Sequence, residues 1–333
     1  MSNAVCIHGN MVSGQGLAYN GDIKLFSLKK PMTTRLSQAI ETVEAALIGA
    51  PVYFGHGTDN AWDEAVFLVL GACGMSLQTQ KDQLQMVLTN DQLLRVQDWL
   101  DQRIQQRLPL PYLLGETWFA DIPFRVNEDV IIPRSPIAEL IIKHFSPFIM
   151  QPPKTALDLC CGSGCIGIAM ALHMDIPHVD MVDIAPASLL LSQQNIDDHD
   201  VGDRVQVFDS NIFSGLPPKY YDLIVSNPPY VDANDYDDMP VEFSHEPKLA
   251  LVSGDDGLDL TAAILSQAAD WLSEEGLLVI EVGNSEVALQ HALPEIPFMW
   301  IEFSQGGNGV FCLTGPQCKQ YQERFNAWYQ SRS

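Results

Sequence analysis

The sequence has few basic residues: 18 Lys and Arg stand against 42 Asp and Glu, for a formal net charge of −24. Non-specific binding to nucleic-acid phosphates needs clustered Lys and Arg, so this balance argues against it. An acidic surface suits a basic protein partner, although it equally serves solubility alone. We therefore expect no direct requirement for nucleic acid.

Long apolar runs and paired cysteines are also lacking. No run approaches the roughly 20 residues of a membrane span, and residues 1–31 lack the charged start and apolar middle of a signal peptide. The seven cysteines include three close together, Cys160, Cys161 and Cys165, and no second Cys or His pair completes a zinc-like spacing. We expect a cytoplasmic protein with reduced cysteines, no metal and no membrane partner.

What is present divides by pattern. Apolar residues recur at helical spacing up to about residue 107, and from residue 155 strands alternate with helices. The predicted organisation is a disordered extension at 1–31, a helical domain at 32–115, a β-hairpin linker at 116–134, an alternating domain at 135–318 and a C-terminal tail at 319–333. Met32 is an alternative start, because a helical pattern begins directly after it.

Local signals refine this organisation. Thr58 or Asp59 is expected to cap the second helix, and Ser135 to cap a helix whose first residue is Pro136. The hairpin is predicted to turn at residues 127–129, between the apolar runs 118–126 and 130–133. His56, in the loop before the second helix, is more often structural than catalytic in such a place.

The alternating domain predicts a mainly parallel, doubly wound sheet. Its strands are expected at 155–160, 178–184, 204–208, 221–226, 276–282, 298–303 and 310–314, and its helices near 164–174, 186–197, 258–273 and 284–292. The last two strands are joined by the glycine-rich connection 305–309, which predicts one antiparallel edge strand.

A glycine-rich loop joins the first strand to the first helix of this sheet. Gly162, Gly164 and Gly167 have the Gly-x-Gly-x-x-Gly spacing of a dinucleotide site, which is weak evidence by itself. Asp183 ends the next strand, where an acid binds ribose. Asp158, just before the glycines, would repel a pyrophosphate and favour a cationic sulfonium, which points to S-adenosylmethionine over NAD; the alternative is that Asp158 only holds the loop.

A second loop, Asn227-Pro228-Pro229-Tyr230, follows the fourth strand. Asn227 supplies an amide acceptor and donors, and both prolines lack an N–H and have a fixed φ, which makes the loop stiff. Such a loop is either an ordinary strand-ending turn or a polar clamp for a planar nitrogen nucleophile, with Tyr230 against its face.

These motifs together resemble the class I S-adenosylmethionine-dependent methyltransferases that modify amide or amine nitrogens. Within that class the chain is similar to the protein glutamine N5-methyltransferases of the HemK and PrmB group, from about residue 50 to residue 315. The Gly-His-Gly-Thr-Asp segment at 55–59 and Arg134-Ser135-Pro136 resemble the PrmB branch, which methylates ribosomal protein L-three of the large subunit.

The resemblance implies a Rossmann-like fold and the cofactor S-adenosyl-L-methionine. It implies that Asn227, Pro228 and Tyr230 are catalytic and that Asn227 to Tyr230 bind the substrate. It also implies a set of cofactor-binding residues: Asp158, Cys160, Gly162, Gly164, Cys165, Asp183, Ile184, Asn211 and Asn227. Relatives usually carry Asp at the position of Asn211, and Asp209 is a substitute candidate for adenine recognition.

Three alternatives to this function stay open. A release factor could carry the methylated glutamine, the substrate could be adenine N6 in a nucleic acid, or the chain could be a binding module without catalysis. The acidic balance disfavours the nucleic acid, and the two intact loops disfavour a module without catalysis.

Overall fold

The computed structural model of the chain describes residues 34–76, 81–304 and 306–332. The predicted extension at 1–31 and the alternative start at Met32 lie outside this part. The described residues form two compact units. One extends to Gly115 and includes Pro240–His245, and the other comprises Glu116–Met239 with the residues from Glu246 onward.

The first unit is helical. Its elements are α1 (Leu36–Ile48), α2 (Ala61–Ala72), a 3₁₀ turn (Lys81–Gln85), α3 (Asn90–Gln105), α4 (Leu110–Leu114) and a second 3₁₀ turn (Val241–His245). The predicted cap of α2 is wrong by one or two residues, because the Asn60 side chain accepts the Asp63 N–H at 2.9 Å. Apolar residues at helical spacing, such as Leu36, Ile40 and Val43, form its core.

A buried ion network holds the second 3₁₀ turn in this helical unit. Arg103, only 1% exposed, donates to Glu64 at 2.5 Å, to Glu242 at 2.9 Å and to the Tyr53 carbonyl at 2.6 Å. Arg107 donates to both Glu242 oxygens, at 2.8 and 2.7 Å. Because Glu242 is fully buried, each of its oxygens needs such partners.

The second unit begins with a hairpin of β1 (Glu116–Phe119) and β2 (Ile122–Arg125). The chain turns at Ala120 and Asp121, whose φ values of 48° and 63° match the twist of a two-residue hairpin turn. The predicted turn at residues 127–129 is therefore wrong. The run 130–133 forms no strand, and the Ile132 N–H donates instead to Glu246.

A sheet of seven strands forms the centre of this unit, in the order β5-β4-β3-β6-β7-β9-β8. The strands are β3 (Thr155–Leu159), β4 (His178–Asp183), β5 (Val205–Asp209), β6 (Tyr221–Ser226), β7 (Leu272–Glu281), β8 (Met299–Trp300) and β9 (Val310–Thr314). The first five are parallel, and β9 is antiparallel to both its neighbours. The predicted mainly parallel sheet with an antiparallel edge is confirmed; β7 starts four residues earlier than expected.

Helices cover both faces of the sheet. They are α5 (Ile137–Ile142), α6 (Cys165–Met174), α7 (Pro186–Asp198), α8 (Ala233–Asp238), α9 (Asp259–Ala268), α10 (Glu286–Ala292) and α11 (Gly315–Gln330). Alternate strand residues divide between two cores: Leu223 and Val225 pack with α5 and α6, whereas Ile224 packs with α9 and α11. The run of α6 is buried almost all round, as expected for a helix against a parallel sheet.

The predicted tail at residues 319–333 does not hold. Residues up to Gln330 belong to α11, which Thr314 caps by accepting the Gln317 N–H. Cys318, Phe325 and Trp328 of this helix are buried against the sheet. Among the helices of the described residues, none combines the length and apolarity that crossing a membrane would need.

Candidate active site at the carboxyl edge of the sheet

A cavity of about 620 Å³ lies at the carboxyl ends of the parallel strands of the second unit. It adjoins the point where the strand order reverses between β3 and β6, and open α/β sheets bind ligands at such a crevice. Seven of the residues singled out from the sequence line it: Cys160, Gly162, Asp183, Ile184, Asn211, Asn227 and Pro229. Among the described lining residues, Asp158, Gly164, Cys165, Pro228 and Tyr230 are absent.

The loop after β3 opens the cavity to a ligand. Gly162 and Gly164 have φ values of 54° and 79°, in the left-handed region that glycine tolerates best. A Cβ on Gly162 would meet nothing within 4 Å, so its backbone faces open space. Gly167 has a different reason, because a Cβ there would lie 2.5 Å from the sulfur of Met181. A Cβ on Gly164 would lie 3.1 Å from Met181 Cε. The formal glycine motif thus combines one position that faces open space, Gly162, with two positions that are packed against Met181.

Asp183 fixes this loop and faces the cavity. Its Oδ2 accepts the Gly162 N–H at 2.9 Å, and its Oδ1 accepts the Ala185 N–H at 2.9 Å. Each carboxylate oxygen has a second lone pair, so these bonds leave acceptor capacity for ribose hydroxyls. The position at the end of β4 is the one predicted from the motif spacing.

Asp158 lies beneath the loop and not on the cavity surface. Its Oδ2 accepts the Gly167 N–H at 2.9 Å, and its buried Oδ1 has no partner among the described residues. Burial raises the pKa of Asp158 to about 8; the Gly167 bond opposes this shift, and the charge of Asp183 adds to it. The contacts therefore favour the loop-holding role that the sequence left as the alternative to direct cofactor contact.

The cysteines of the loop are neutral thiols. Desolvation, followed by the charges of Asp183 and Asp158, raises the pKa of Cys160 above its usual range. Burial raises the pKa of Cys165 to about 12. Cys160 thus offers the cavity a compact, polarisable wall, whereas Cys165 begins α6 and packs in the core.

The loop after β5 distinguishes the two candidates for adenine recognition. Asn211 lines the cavity, whereas Asp209 ends β5 with an exposed side chain and does not. Ser210 shapes this turn, since its hydroxyl donates to the Ile212 carbonyl at 2.8 Å and accepts the Gly215 N–H at 2.8 Å. The amide at 211 is therefore the group available to a ligand at this wall.

The loop after β6 contributes an unsatisfied polar atom. The Oδ1 of Asn227 is buried and has no hydrogen-bond partner among the described residues, although Asn227 lines the cavity. A buried carbonyl oxygen without a partner is costly, and a ligand N–H would remove that cost. Pro229 lines the cavity beside it.

Tyr230 is held by the scaffold behind this loop. Its hydroxyl donates to Glu281 Oε1 at 3.0 Å, and its ring lies so close to Gly283 that a Cβ there would be 2.4 Å from Tyr230 Cε2. The predicted packing of Tyr230 against a substrate amide stays a prediction, since the ring is already packed on one side.

Some cavity residues gave no sequence signal. Ile131 follows the hairpin outside any motif, and Asp259 and Gln267 belong to α9. Arg332 lies beyond α11 and forms an ion pair with Asp259 at 2.7 Å. Only the general rule that carboxyl ends of parallel strands converge could have placed a site here; nothing in the sequence brings the end of α11 to it.

His56, the other candidate from the sequence, belongs to the helical unit. Its ring centroid lies 4.5 Å from that of Phe243 and 5.9 Å from that of Tyr53. It is 5% exposed. A structural role in that aromatic cluster fits this position.

The groups around the cavity fit S-adenosylmethionine. Asp183 provides acceptors for ribose hydroxyls and a negative charge beside the cavity, and the open backbone of Gly162 admits a close ligand. A family model described as "Methyltransferase small domain" matches residues 137–255, which include both loops. The fold and the site define a class I S-adenosylmethionine-dependent methyltransferase.

Two relatives cover most of the chain. One, the "Ribosomal protein uL3 glutamine methyltransferase" of Francisella tularensis subsp. tularensis, is 45% identical over 84% of this chain and 90% of its own length. Another with the same name, from Bordetella pertussis, is 38% identical over 85% of this chain and 95% of its own length. The chain belongs to the family of the ribosomal protein uL3 glutamine methyltransferases.

Similarity to solved structures is lower. The ribosomal protein L11 methylase of Lactobacillus delbrueckii subsp. bulgaricus is 17% identical, with 54% of this chain and 77% of that one covered and a TM-score of 0.37. A likeness of this size adds nothing to the family assignment.

Proposed function

We propose that this protein methylates the side-chain amide nitrogen of a glutamine in ribosomal protein uL3. The observation that carries the chemistry is the buried Oδ1 of Asn227, which lines the cavity and has no partner among the described residues. A primary amide of the substrate supplies the N–H that this oxygen needs. The names of the two relatives support uL3 as the protein that carries the glutamine.

Asn227 and the two prolines act by positioning and electrostatics. An amide nitrogen is a weak nucleophile, because its lone pair is delocalised into the carbonyl. Acceptance of one N–H by Asn227 Oδ1, and of the other by the Pro228 carbonyl, stabilises the positive charge that develops on that nitrogen. S-adenosylmethionine supplies the electrophilic methyl group when it is bound. No strong general base is required, since the nitrogen becomes acidic as it is methylated.

The remaining site residues divide between binding and support. Asp183 and Ile184 hold the ribose side, Asn211 accepts from the adenine amine, and Gly162 and Cys160 form the wall against the cofactor. Asp158, Gly164 and Cys165 shape the loop that carries this wall. The helical unit recognises the protein substrate. A net charge of −24 suits a basic ribosomal protein, and we expect the reaction in the cytoplasm.

Labelled cofactor tests this proposal. The protein is incubated with radiolabelled S-adenosylmethionine and, separately, unmethylated uL3, a release factor and ribosomal RNA. We expect label on uL3, at a glutamine identified by mass spectrometry. Asn227→Ala should lower kcat at least about 100-fold while the cofactor Kd changes much less, because the lost acceptor acts on the nucleophile.

Gln194→Ala is the matched control, because Gln194 is an exposed amide residue of α7 that does not line the cavity. This variant should turn over like the wild type. Label on the release factor but not on uL3 would contradict the substrate, and wild-type turnover of Asn227→Ala would contradict the chemistry.

A further inference from the structure

Glu281 is a buried carboxylate that the proposed reaction does not use. It ends β7 and is only 4% exposed. Its Oε1 accepts the Tyr230 hydroxyl at 3.0 Å, and its Oε2 accepts the Ser135 hydroxyl at 2.5 Å. The Glu281 side chain thus joins two segments that are far apart in the sequence, one at Ser135 and the other at Tyr230.

Both segments adjoin residues that line the cavity. Tyr230 ends the loop whose Asn227 and Pro229 line the cavity. Ser135 follows Ile131, which lines it as well.

A second buried carboxylate holds the Ser135 segment in place. Glu246, 3% exposed, accepts the Ile132 N–H at 2.8 Å and the Arg134 guanidinium at 2.6 and 2.7 Å. The bidentate geometry of this ion pair fixes direction as well as distance. Glu281 therefore ties the Asn227 loop to a segment that is itself rigidly anchored.

Tyr230 transmits this constraint to the loop. Its ring packs on Gly283, where a Cβ would lie 2.4 Å from Cε2, and its carbonyl accepts the Ser285 hydroxyl at 3.0 Å. With the phenol hydroxyl also held by Glu281, the ring is fixed at both ends. Pro228 and Pro229, which precede it, each fix one backbone φ angle, so a displacement of Tyr230 also moves Asn227.

We propose that Glu281 is a positioning residue that acts through the Tyr230 hydroxyl to hold the Asn227 acceptor at a fixed place against the Ile131–Ser135 wall. Its effect is on the orientation of the bound amide and hence on kcat, because a small misplacement of a reacting group costs rate. The inference rests on the proposed function for the nature of the substrate.

Kinetics of single and double variants test the coupling. Tyr230→Phe, which keeps the ring and removes only the hydroxyl, should lower kcat on uL3 about tenfold and change the cofactor Kd less than about twofold. Glu281→Gln should lower kcat by a similar factor in the wild-type background and by less than about twofold in the Tyr230→Phe background. Equal effects of Glu281→Gln in both backgrounds would overturn the proposal.

Amide exchange gives a readout that needs no substrate. The Val231 N–H donates to the Leu251 carbonyl at 2.8 Å, and the Ser253 N–H donates to the Val231 carbonyl at 3.1 Å, directly after the loop. Both amides should exchange about tenfold faster in Tyr230→Phe and in Glu281→Gln. Unchanged exchange in both variants would overturn the positioning role of Glu281. Failure of the wild type to methylate uL3 would contradict only the proposed function, because the exchange measurement needs no substrate.

Tyr220→Phe is the matched control. Tyr220 is 67% exposed and precedes β6 at the opposite end of that strand from the loop. This variant should keep wild-type kcat and wild-type exchange at Val231. Loss of kcat in Tyr220→Phe equal to that in Tyr230→Phe would show a general effect on the sheet and contradict positioning through Glu281.

Discussion

At the scale of single residues, Gly162 shows how the loop after β3 serves both backbone conformation and ligand access. Its φ of 54° lies in the left-handed region, and its missing Cβ leaves open cavity. Its N–H is bonded to Asp183, which also faces the cavity. A methyl group at this position would therefore lower the unfolding free energy and reduce the space for the cofactor.

We predict that Gly162→Ala weakens S-adenosylmethionine binding about tenfold and lowers the unfolding free energy by about 1 kcal/mol. Calorimetry measures the first quantity and urea unfolding the second. Gly74→Ala is the matched control, since Gly74 also has a positive φ, 67°, and nothing within 4 Å of a Cβ, but belongs to the helical unit. A comparable loss of affinity in both variants would refute the prediction.

At the scale of elements, the carboxylate of Glu242 makes most of the polar contacts that hold the 3₁₀ turn Val241–His245 in the helical unit. Glu242 accepts from Arg103, Arg107 and the Tyr53 N–H, the last at 2.7 Å. Burial raises the pKa of Glu242, but the bonds from Arg107, Tyr53 and Arg103 outweigh it and lower that pKa to about 2. Removal of this carboxylate leaves Arg103 buried with less compensation.

We predict that Glu242→Ala lowers the unfolding free energy by about 3–5 kcal/mol, the cost of breaking a buried ion pair from one side. Urea unfolding followed by tryptophan fluorescence measures it. Glu41→Ala, an exposed position on α1, should stay within about 0.5 kcal/mol of the wild type. Equal stability of the two variants would show that Glu242 is dispensable.

Elements with strong local patterns could be predicted from the sequence, and those fixed by distant partners could not. The strand and helix alternation from β3 to β7 was visible, because buried parallel strands are continuous apolar runs. The position of the hairpin turn could not be predicted, because the turn residues Ala120 and Asp121 are not the glycine or asparagine that usually marks a left-handed turn. Helix α11 was missed as an element, since its polar sequence conceals the few buried residues that dock it.

The same distinction applies to the site. Asp183, Asn211 and Asn227 follow strands, and the convergence of strand ends was enough to bring them together. Ser135 and Glu281, which support the loop of Asn227, are 146 residues apart, so no local pattern could pair them. Arg332 reaches the cavity only because α11 packs on α9, which depends on the assembled core.

At the scale of the whole molecule, ionisable groups give stability a pH dependence that the net charge does not reveal. The pKa of Asp158 is about 8 in the folded protein against about 3.9 in the unfolded chain. Between these values the folded state retains a proton that the unfolded state has lost. The contribution of Asp158 therefore lowers the unfolding free energy as pH rises from about 4 to about 8.

We predict that Asp158→Asn, which cannot ionise, flattens this part of the stability profile. The variant's unfolding free energy relative to the wild type should rise steadily from pH 4.5 to pH 8, as measured by urea unfolding at several pH values. Profiles that run parallel would contradict the raised pKa. Glu242 has the opposite effect on the unfolding free energy. Because its pKa is lowered, the stabilisation that it contributes is lost as pH falls from about 4.5 to about 2.

The assignment of Pro240–His245 to the helical unit has a consequence for how such enzymes can diversify. The helical unit is encoded by two stretches of the gene, one before the sheet of seven strands and a short one in the middle of it. A recombination that exchanges only the first stretch would combine Arg103 and Arg107 of one parent with Glu242 of the other. Chimeras between relatives should therefore be functional when both stretches come from the same parent. Among relatives, the sequence of the short stretch should vary together with that of the helices and not with that of the sheet.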